Sequence, residues 1–282
     1  MGTKYISRHN QKAADRIRKL FLDKKLFLLD GDGTLYLWDK AFKSSPLLLK
    51  KIIELKKNFV ILSNNDSESK EKRLKFVSRV LKTNIQQDNL LLPNDIVEDF
   101  LQKKHIKRFD GLISSDFAAE LNSKGFILDK SDPEIVLVGF DVNLTYAKLK
   151  RVINHISNGK KFLLTHNDPL CPYKDGREIP DAGSIVNLIT LAVKKEPDYR
   201  FGKPFVSTID YVIKKYGFKR EDMLIIGDRL NTDIKMANEN EISSIWVTNN
   251  LKDPEKELKG SGYKPDVTID SIALLYKAVH NI

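Results

Sequence analysis

Two pairs of carboxylates stand out, each at the end of an apolar run. Leu26–Leu29 are four apolar residues in a row, and they stop abruptly at Asp30-Gly31-Asp32-Gly33-Thr34. Such a run reads as a fully buried strand, too short for a core helix. Two aspartates beyond a strand end, with a glycine between them and another after, can be aimed at one point. Like charges that close repel, and one would keep its proton unless a cation sat between them. Oxygen-only ligands at the mouth of a site suit Mg²⁺. An ordinary Asp-Gly turn fits the same residues equally well. A second run, Met223–Ile226, ends at Gly227-Asp228, with Asp233 five residues further on. Asp228 supplies a further oxygen ligand, and Asp233 suits the first turn of a following helix.

Hydrogen-bond donors stand at the ends of other elements. Phe59–Leu62 is another buried strand, and it ends at Ser63-Asn64-Asn65. A hydroxyl and two amides there can donate to a phosphoryl oxygen. Asn65, Asp66 or Ser67 could equally cap the charged helix that follows. Ser44-Ser45-Pro46 opens a helix with proline in its first turn, and Leu48, Leu49, Ile52, Ile53 and Leu55 make its apolar stripe. Strand, helix and strand with short links form a βαβ crossover. Its ligand site lies beyond the carboxyl ends of the strands, which brings Ser63 beside Asp30 by topology. Lys203, in Gly202-Lys203-Pro204, stands just before a helix with Phe205, Ile209, Val212, Ile213 and Tyr216 in register. An ammonium at a helix N-terminus beside an anion site would neutralise a phosphate oxygen. One more solvated lysine, in a chain with 48 lysines and arginines, is the plain alternative.

The remaining elements position these groups. Residues 8–24 form an amphipathic helix with Ile17, Leu20 and Phe21 on one face, and helix 94–104 precedes a strand at Phe109–Ile113. A short helix over 116–125 closes on Gly125. Strands at Ile135–Val138 and Phe162–Leu164 flank an amphipathic helix, Leu144–Ile156. Asp141 could cap that helix, and Asp168-Pro169 could be a turn. Ile245–Val247 is a further strand, 252–263 a charged loop, and 270–280 a last helix. The alternation is α/β throughout.

Asp30-Gly-Asp32-Gly-Thr34-Leu35 after a buried strand resembles the first motif of the haloacid dehalogenase superfamily of phosphotransferases. Ser63-Asn64-Asn65 resembles its second motif, Gly202-Lys203-Pro204 its third, and Gly227-Asp228-Arg229-Leu230-Asn231-Thr232-Asp233-Ile234 its fourth. The second and fourth are similar to the forms found in the NagD-like, p-nitrophenylphosphatase-type branch. So are Val138–Asp141, Tyr146–Leu149, Gly159–Phe162, Thr165–Pro169 and Gly183–Ile185, which match that branch's inserted C2-type cap. The resemblance spans residues 26–275. It implies a Rossmann-like parallel-sheet core over 1–102 and 198–282, with an inserted α/β cap domain over 103–197. One departure lies beyond the fourth motif, where Ala237 and Asn240 stand in place of glycines; Asn240 can hold a left-handed helix end.

The resemblance also implies a reaction. Asp30 would be the nucleophile and Asp32 the general acid and base. Mg²⁺ would sit on Asp30, the Asp32 carbonyl and Asp228, backed by Asp233. Ser63, Asn64, Asn65 and Lys203 would hold phosphate. The cap loop from His166 to Pro172, with Asp168 and Cys171, would face the leaving group. In the branch's pyridoxal-phosphate type a histidine stands where Cys171 aligns, which favours short polyol, sugar or glycolate phosphates. Rivals are a pyridoxal-phosphate or nucleotide phosphatase of the same branch, and an idle binding or scaffold protein that kept the fold.

Composition agrees with a globular enzyme. At 282 residues, 41% hydrophobic and 30% charged, the chain can bury one or two cores. No apolar stretch approaches a membrane span, and charges interrupt any signal-peptide core near the N-terminus. One cysteine, Cys171, excludes an internal disulfide and fits a reducing cytoplasm. The net charge of +10 could attract nucleic acid or a small anion. The lysines are dispersed and no nucleic-acid signature accompanies them, so the expected partner is a small phosphorylated metabolite, with no nucleic acid and no membrane. Caps of this branch can also form homodimers.

Overall fold

The computed structural model describes residues 8–172, 177–249 and 251–282. Helix α1 is Arg8–Asp23. It is followed by strand β1 (Leu26–Leu29), a ribbon of β2 (Tyr36–Leu37) and β3 (Lys40–Ala41), α2 (Ser45–Glu54), β4 (Asn58–Leu62) and α3 (Lys70–Leu81). Next come β5 (Leu90–Leu91), α4 (Pro93–Lys103), β6 (Arg108–Leu112), α5 (Ser115–Ser123), β7 (Ile127–Leu128), β8 (Ile135–Val138), α6 (Tyr146–Ser157) and β9 (Lys161–Leu164). A second ribbon, β10 (Leu170–Pro172) with β11 (Glu178–Pro180), leads to α7 (Ala182–Val193), β12 (Tyr199–Arg200) and α8 (Val206–Tyr216). The chain ends with β13 (Met223–Gly227), α9 (Lys235–Glu239), β14 (Ser243–Val247), α10 (Pro254–Gly260), β15 (Val267–Ile269) and α11 (Ile272–Val279).

These elements make two compact units. The first is Met1–Leu62, Val77–Leu90 and Val212–Ile282; the second is Ser63–Phe76 and Leu91–Tyr211. The first is built on a six-stranded sheet in the order β15-β14-β13-β1-β4-β5. β1 runs parallel to both β13 and β4, with Leu29 opposite Ile226 and Ile61. All four β1 side chains are buried, which is why the strand is apolar without alternation. On α1, Ile17 and Phe21 are buried, and the Phe21 ring lies 4.6 Å from that of Phe27 in β1. The N-terminal helix is therefore part of this unit's own layer.

The second unit has its own parallel sheet, β12-β9-β8-β6-β7. Its core includes Leu112, Val136, Val138, Val152, Phe162 and Ile189. The unit is wider than the insertion expected over 103–197. Phe100 of α4 packs on Tyr199 and Phe201, with ring centroids 4.5 and 5.2 Å away. That aromatic cluster joins α4 and the chain after β12 to the second sheet. Among the described residues no helix is long and apolar enough to cross a membrane.

Several local expectations change. Ile53 is 55% exposed, so the α2 stripe narrows to Leu48, Leu49 and Ile52. The charged stretch 252–263 contains α10, opened by Asp253, whose side chain accepts from Lys256 N–H. Helix α8 starts at Val206 rather than at Pro204. Asn240 has φ −113 and its amide donates to the Met236 carbonyl; the left-handed residue is Glu241, at φ +56. Asp141 does not cap α6. It pairs with Lys148, and Thr145 is the cap.

Candidate active site

In the first unit, Asp30 and Asp228 follow the carboxyl ends of adjacent parallel strands. Asp30 comes directly after β1 and Asp228 directly after β13. Asp233 arrives from a π-type turn, Leu230–Ile234, that leads into α9. Ligand oxygens of Asp30, Asp228 and Asp233 all lie within 4.8 Å of one another. Asp30 and Asp233 are buried and Asp228 is half-buried. Like charges this close, away from water, are held together by a cation or by protonation. An all-oxygen set suits a hard divalent ion, so the residues fit Mg²⁺. Asp233, expected to stand behind the metal ligands, lies within the same 4.8 Å group. Asp32 is half-buried two residues after Asp30.

The backbone around this set is fixed by partners that the sequence did not advertise. Gly33 has φ +90, and a Cβ there would lie 2.0 Å from Asp228 Oδ2. Only glycine lets the loop after β1 come so near the second carboxylate. The Asn249 amide donates to the Gly33 carbonyl, 2.9 Å. The buried Trp246 indole donates to the Asp228 carbonyl, 2.8 Å. Asp233 Oδ2 accepts from Arg229 N–H at 3.3 Å. Trp246 reads from sequence as a plain strand residue; the available signal is that a buried indole N–H needs an acceptor.

In the second unit, Ser63, Asn64 and Lys203 come together and all are buried, Lys203 to 3% exposure. Lys203 is thus no solvated surface lysine. The Asn64 side chain clamps its backbone: Oδ1 accepts from Lys203 N–H at 2.8 Å, and Nδ2 donates to the Lys203 carbonyl at 3.0 Å. The same Nδ2 also donates to Asp168 Oδ1, 3.2 Å. Asn65 Oδ1 accepts from the backbone and hydroxyl of Ser67, and Asn65 N–H donates to Ser63 Oγ, 3.2 Å. Both asparagine side chains therefore hold the loop in shape. The hydroxyl of Ser63, the ammonium of Lys203 and backbone N–H groups are donors of the kind that suit phosphate. Asp66 does not cap α3, since its Oδ1 accepts from Phe140 N–H, 3.2 Å; the first N–H of α3, on Lys70, goes to Glu120.

Behind this loop lies a buried ionic cluster. His166 Nε2 is 3.3 Å from Asp66 Oδ1 and 3.5 Å from Asp181 Oδ1, and the three residues are at most 5% exposed. Burial pulls the imidazolium down, but the two carboxylates outweigh it and push His166 up to about 9. Burial also pushes Asp181 up to about 6, against the pull of His166. His166 Nδ1 accepts from the Asp168 N–H, 3.4 Å away. Asp181 also opens α7 by accepting from Ala182 N–H, 2.6 Å. Asp168 is half-buried and tied to Asn64, and Cys171 is half-buried on the β10–β11 ribbon opposite Ile179. The roles of Asp66 and Asp181 were not legible in sequence, because 100 residues separate Asp66 from His166.

Comparison with known proteins places this arrangement. A haloacid dehalogenase-like hydrolase model matches residues 27–127, and a HAD-hydrolase-like model matches residues 200–275. A solved 4-nitrophenylphosphatase from Thermotoga maritima superposes with a TM-score of 0.86 at 32% identity, over 92% of this chain and 99% of that one. The chain belongs to the haloacid dehalogenase-like hydrolases. Dihydroxyacetone phosphatase of Corynebacterium glutamicum is 27% identical over 88% of this chain and 89% of that protein. The 4-nitrophenylphosphatase of Schizosaccharomyces pombe is 27% identical over 91% and 95%. Its branch is that of the NagD-like and 4-nitrophenyl phosphatases, and the protein is a phosphatase.

Proposed function

We propose that this phosphatase hydrolyses small phosphate monoesters through a phosphorylated Asp30. The observation that carries the proposal is the convergence of Asp30, Asp228 and Asp233 within 4.8 Å of one another. Asp30 attacks phosphorus and forms an acyl phosphate, a known use of carboxylate nucleophiles. Asp32 protonates the departing alcohol, then takes a proton from the water that attacks the acyl phosphate and releases phosphate from Asp30. Asp30, Asp228 and Asp233, with the Asp32 carbonyl, would hold Mg²⁺, whose charge offsets their repulsion and that of the phosphate. Ser63 and Lys203 stabilise the phosphoryl oxygens, where this chemistry needs charge neutralised.

The substrate class follows from the same family and from the small side chain at Cys171. Short polyol, sugar, triose or glycolate phosphates come first, in keeping with the name of the Corynebacterium relative. The test is phosphate release from a panel of such esters and p-nitrophenyl phosphate, with Mg²⁺ and with chelator. Activity should vanish in chelator and return with Mg²⁺. Asp30→Asn should melt like wild type yet turn over at least about a thousandfold more slowly, since an amide cannot form the acyl phosphate. Normal turnover by the folded variant, or indifference to chelator, removes the mechanism.

A further inference from the structure

We propose that His166 is a positioning residue. It is an imidazolium clamped between Asp66 and Asp181 that holds the Ser63–Asn65 loop and Lys203 in the arrangement that binds phosphate. The inference rests on the reading of Ser63 and Lys203 as the groups that hold the phosphoryl oxygens.

The geometry links His166 to both parts of that cradle. On one side, Nε2 pairs with Asp66, the residue directly after Ser63-Asn64-Asn65. Asp66 is anchored further by Phe140 N–H on its Oδ1 and by the Ser114 hydroxyl on its carbonyl. On the other side, His166 packs against Gly202, the residue directly before Lys203. Gly202 has φ +69, and a Cβ there would lie 2.6 Å from His166 Cβ, 2.7 Å from the Thr165 carbonyl and 2.9 Å from Asn64 Oδ1. Asn64 then closes the circuit through its two hydrogen bonds to the Lys203 backbone. Nε2–H can donate to Asp66 whether the ring is neutral or charged; when charged, the ring also offsets the two carboxylates that face it. A buried ion pair specifies position because breaking it leaves a charge without compensation.

The groups facing the ring are Asp66 from the loop after β4, Asp181 from the start of α7, and Asp168 two residues on. Lys203 directly follows Gly202, which packs on His166. With His166 raised to about 9 and Asp181 to about 6, the clamp is complete between those values, loses the Asp181 charge as pH falls through about 6, and loses the imidazolium as pH rises through about 9. Loss of the proton leaves Asp66 without its counter-charge and frees the loop. Phosphate affinity should fall on this alkaline limb, and kcat with it, because the same groups stabilise the phosphoryl oxygens during the reaction.

The experiment measures KM and kcat for p-nitrophenyl phosphate from pH 6 to 10, alongside calorimetric binding of inorganic phosphate, for wild type, His166→Asn and Asp181→Asn. Thermal melting confirms folding. Wild type should lose about tenfold in phosphate affinity between pH 8 and pH 10, with kcat/KM falling at least as far, the size expected for one coupled contact. His166→Asn should begin with affinity about tenfold weaker at pH 7 and show no such limb. Asp181→Asn keeps the helix cap but removes one carboxylate from His166. Its limb should move to lower pH by about one unit. A purely structural histidine would not move the limb in this way. A limb that survives in His166→Asn belongs to Lys203 and overturns the proposal. So does a limb unmoved in Asp181→Asn. So does one equivalent of Zn²⁺ or Mn²⁺ bound by wild type and lost in His166→Asn, which would make the cluster a metal site. Phosphate binding separates this proposal from the reaction. If phosphate binds with the expected limb but no ester is hydrolysed, the clamp stands and the hydrolytic mechanism falls. If Lys203→Ala binds phosphate normally, the reading of the cradle itself fails.

Discussion

Lys203 is one of 48 basic residues, and its chemistry is set by where its backbone is held. Its side chain leaves a backbone bonded on both sides to Asn64, and the residue is 3% exposed. A buried ammonium acts as a compact point charge, and the planar fork of arginine is not its equivalent. Lys203→Ala should raise KM for a phosphate ester and lower kcat together, with a combined loss of about a hundredfold or more in kcat/KM, read by steady-state assay. Lys203→Arg should recover little of it. Unchanged kinetics in Lys203→Ala would make the residue part of the packing alone. At this scale the carboxylates were legible, because Asp30, Asp228 and Asp233 each sit directly after, or one turn beyond, a recognisable apolar strand. Asn64 and Asn65 make hydrogen bonds within their own loop and to the Lys203 backbone that the sequence does not announce. An amide side chain in sequence does not say whether it meets a ligand or its own backbone.

Strands β1, β4 and β13 could be read from sequence because burial on both faces removes polar residues from them. Their ends mark the site for the same reason. The partners that steady those ends were hidden, since they come from later strands. Trp246 lies on β14 beside β13, with Trp246 opposite Gly227 in the register, and its indole reaches the Asp228 carbonyl. It also packs with Leu230 and Ile234 of the turn that carries Asp233. One side chain thus braces both later carboxylates. Trp246→Phe keeps the ring but removes the N–H. It should cost about 1 kcal/mol in chemical denaturation and raise the Mg²⁺ concentration needed for half-maximal activity several-fold. A variant with wild-type metal demand would confine Trp246 to the core. In the second unit Phe100 meets Tyr199 and Phe201 across about a hundred residues of chain, a distance no local pattern reports.

The net charge of +10 is a property of the whole chain. It is not gathered into a basic stripe with aromatic residues between. Lysines alternate with acids that neutralise them locally: Lys25 with Asp222 in the first unit, and Lys70 with Asp95, Lys72 with Asp116, Lys124 with Glu98 and Lys160 with Asp132 in the second. Lys70–Asp95 is largely buried; the exposed pairs add little stability, but they break up the surface that a polyanion would need. The excess positive charge that remains acts at long range and favours any small anion. Salt screens it, with a Debye length of about 10 Å at 0.1 M and about 3 Å at 1 M. KM for a doubly charged phosphate ester should therefore rise about two- to fivefold between 0.05 and 0.5 M NaCl, while kcat stays nearly constant, because encounter is screened and the buried donors are not. Duplex DNA or tRNA at micromolar concentration should leave the rate unchanged at 0.1 M salt. Strong inhibition by either, relieved steeply by added salt, would show that the charge serves a nucleic acid after all.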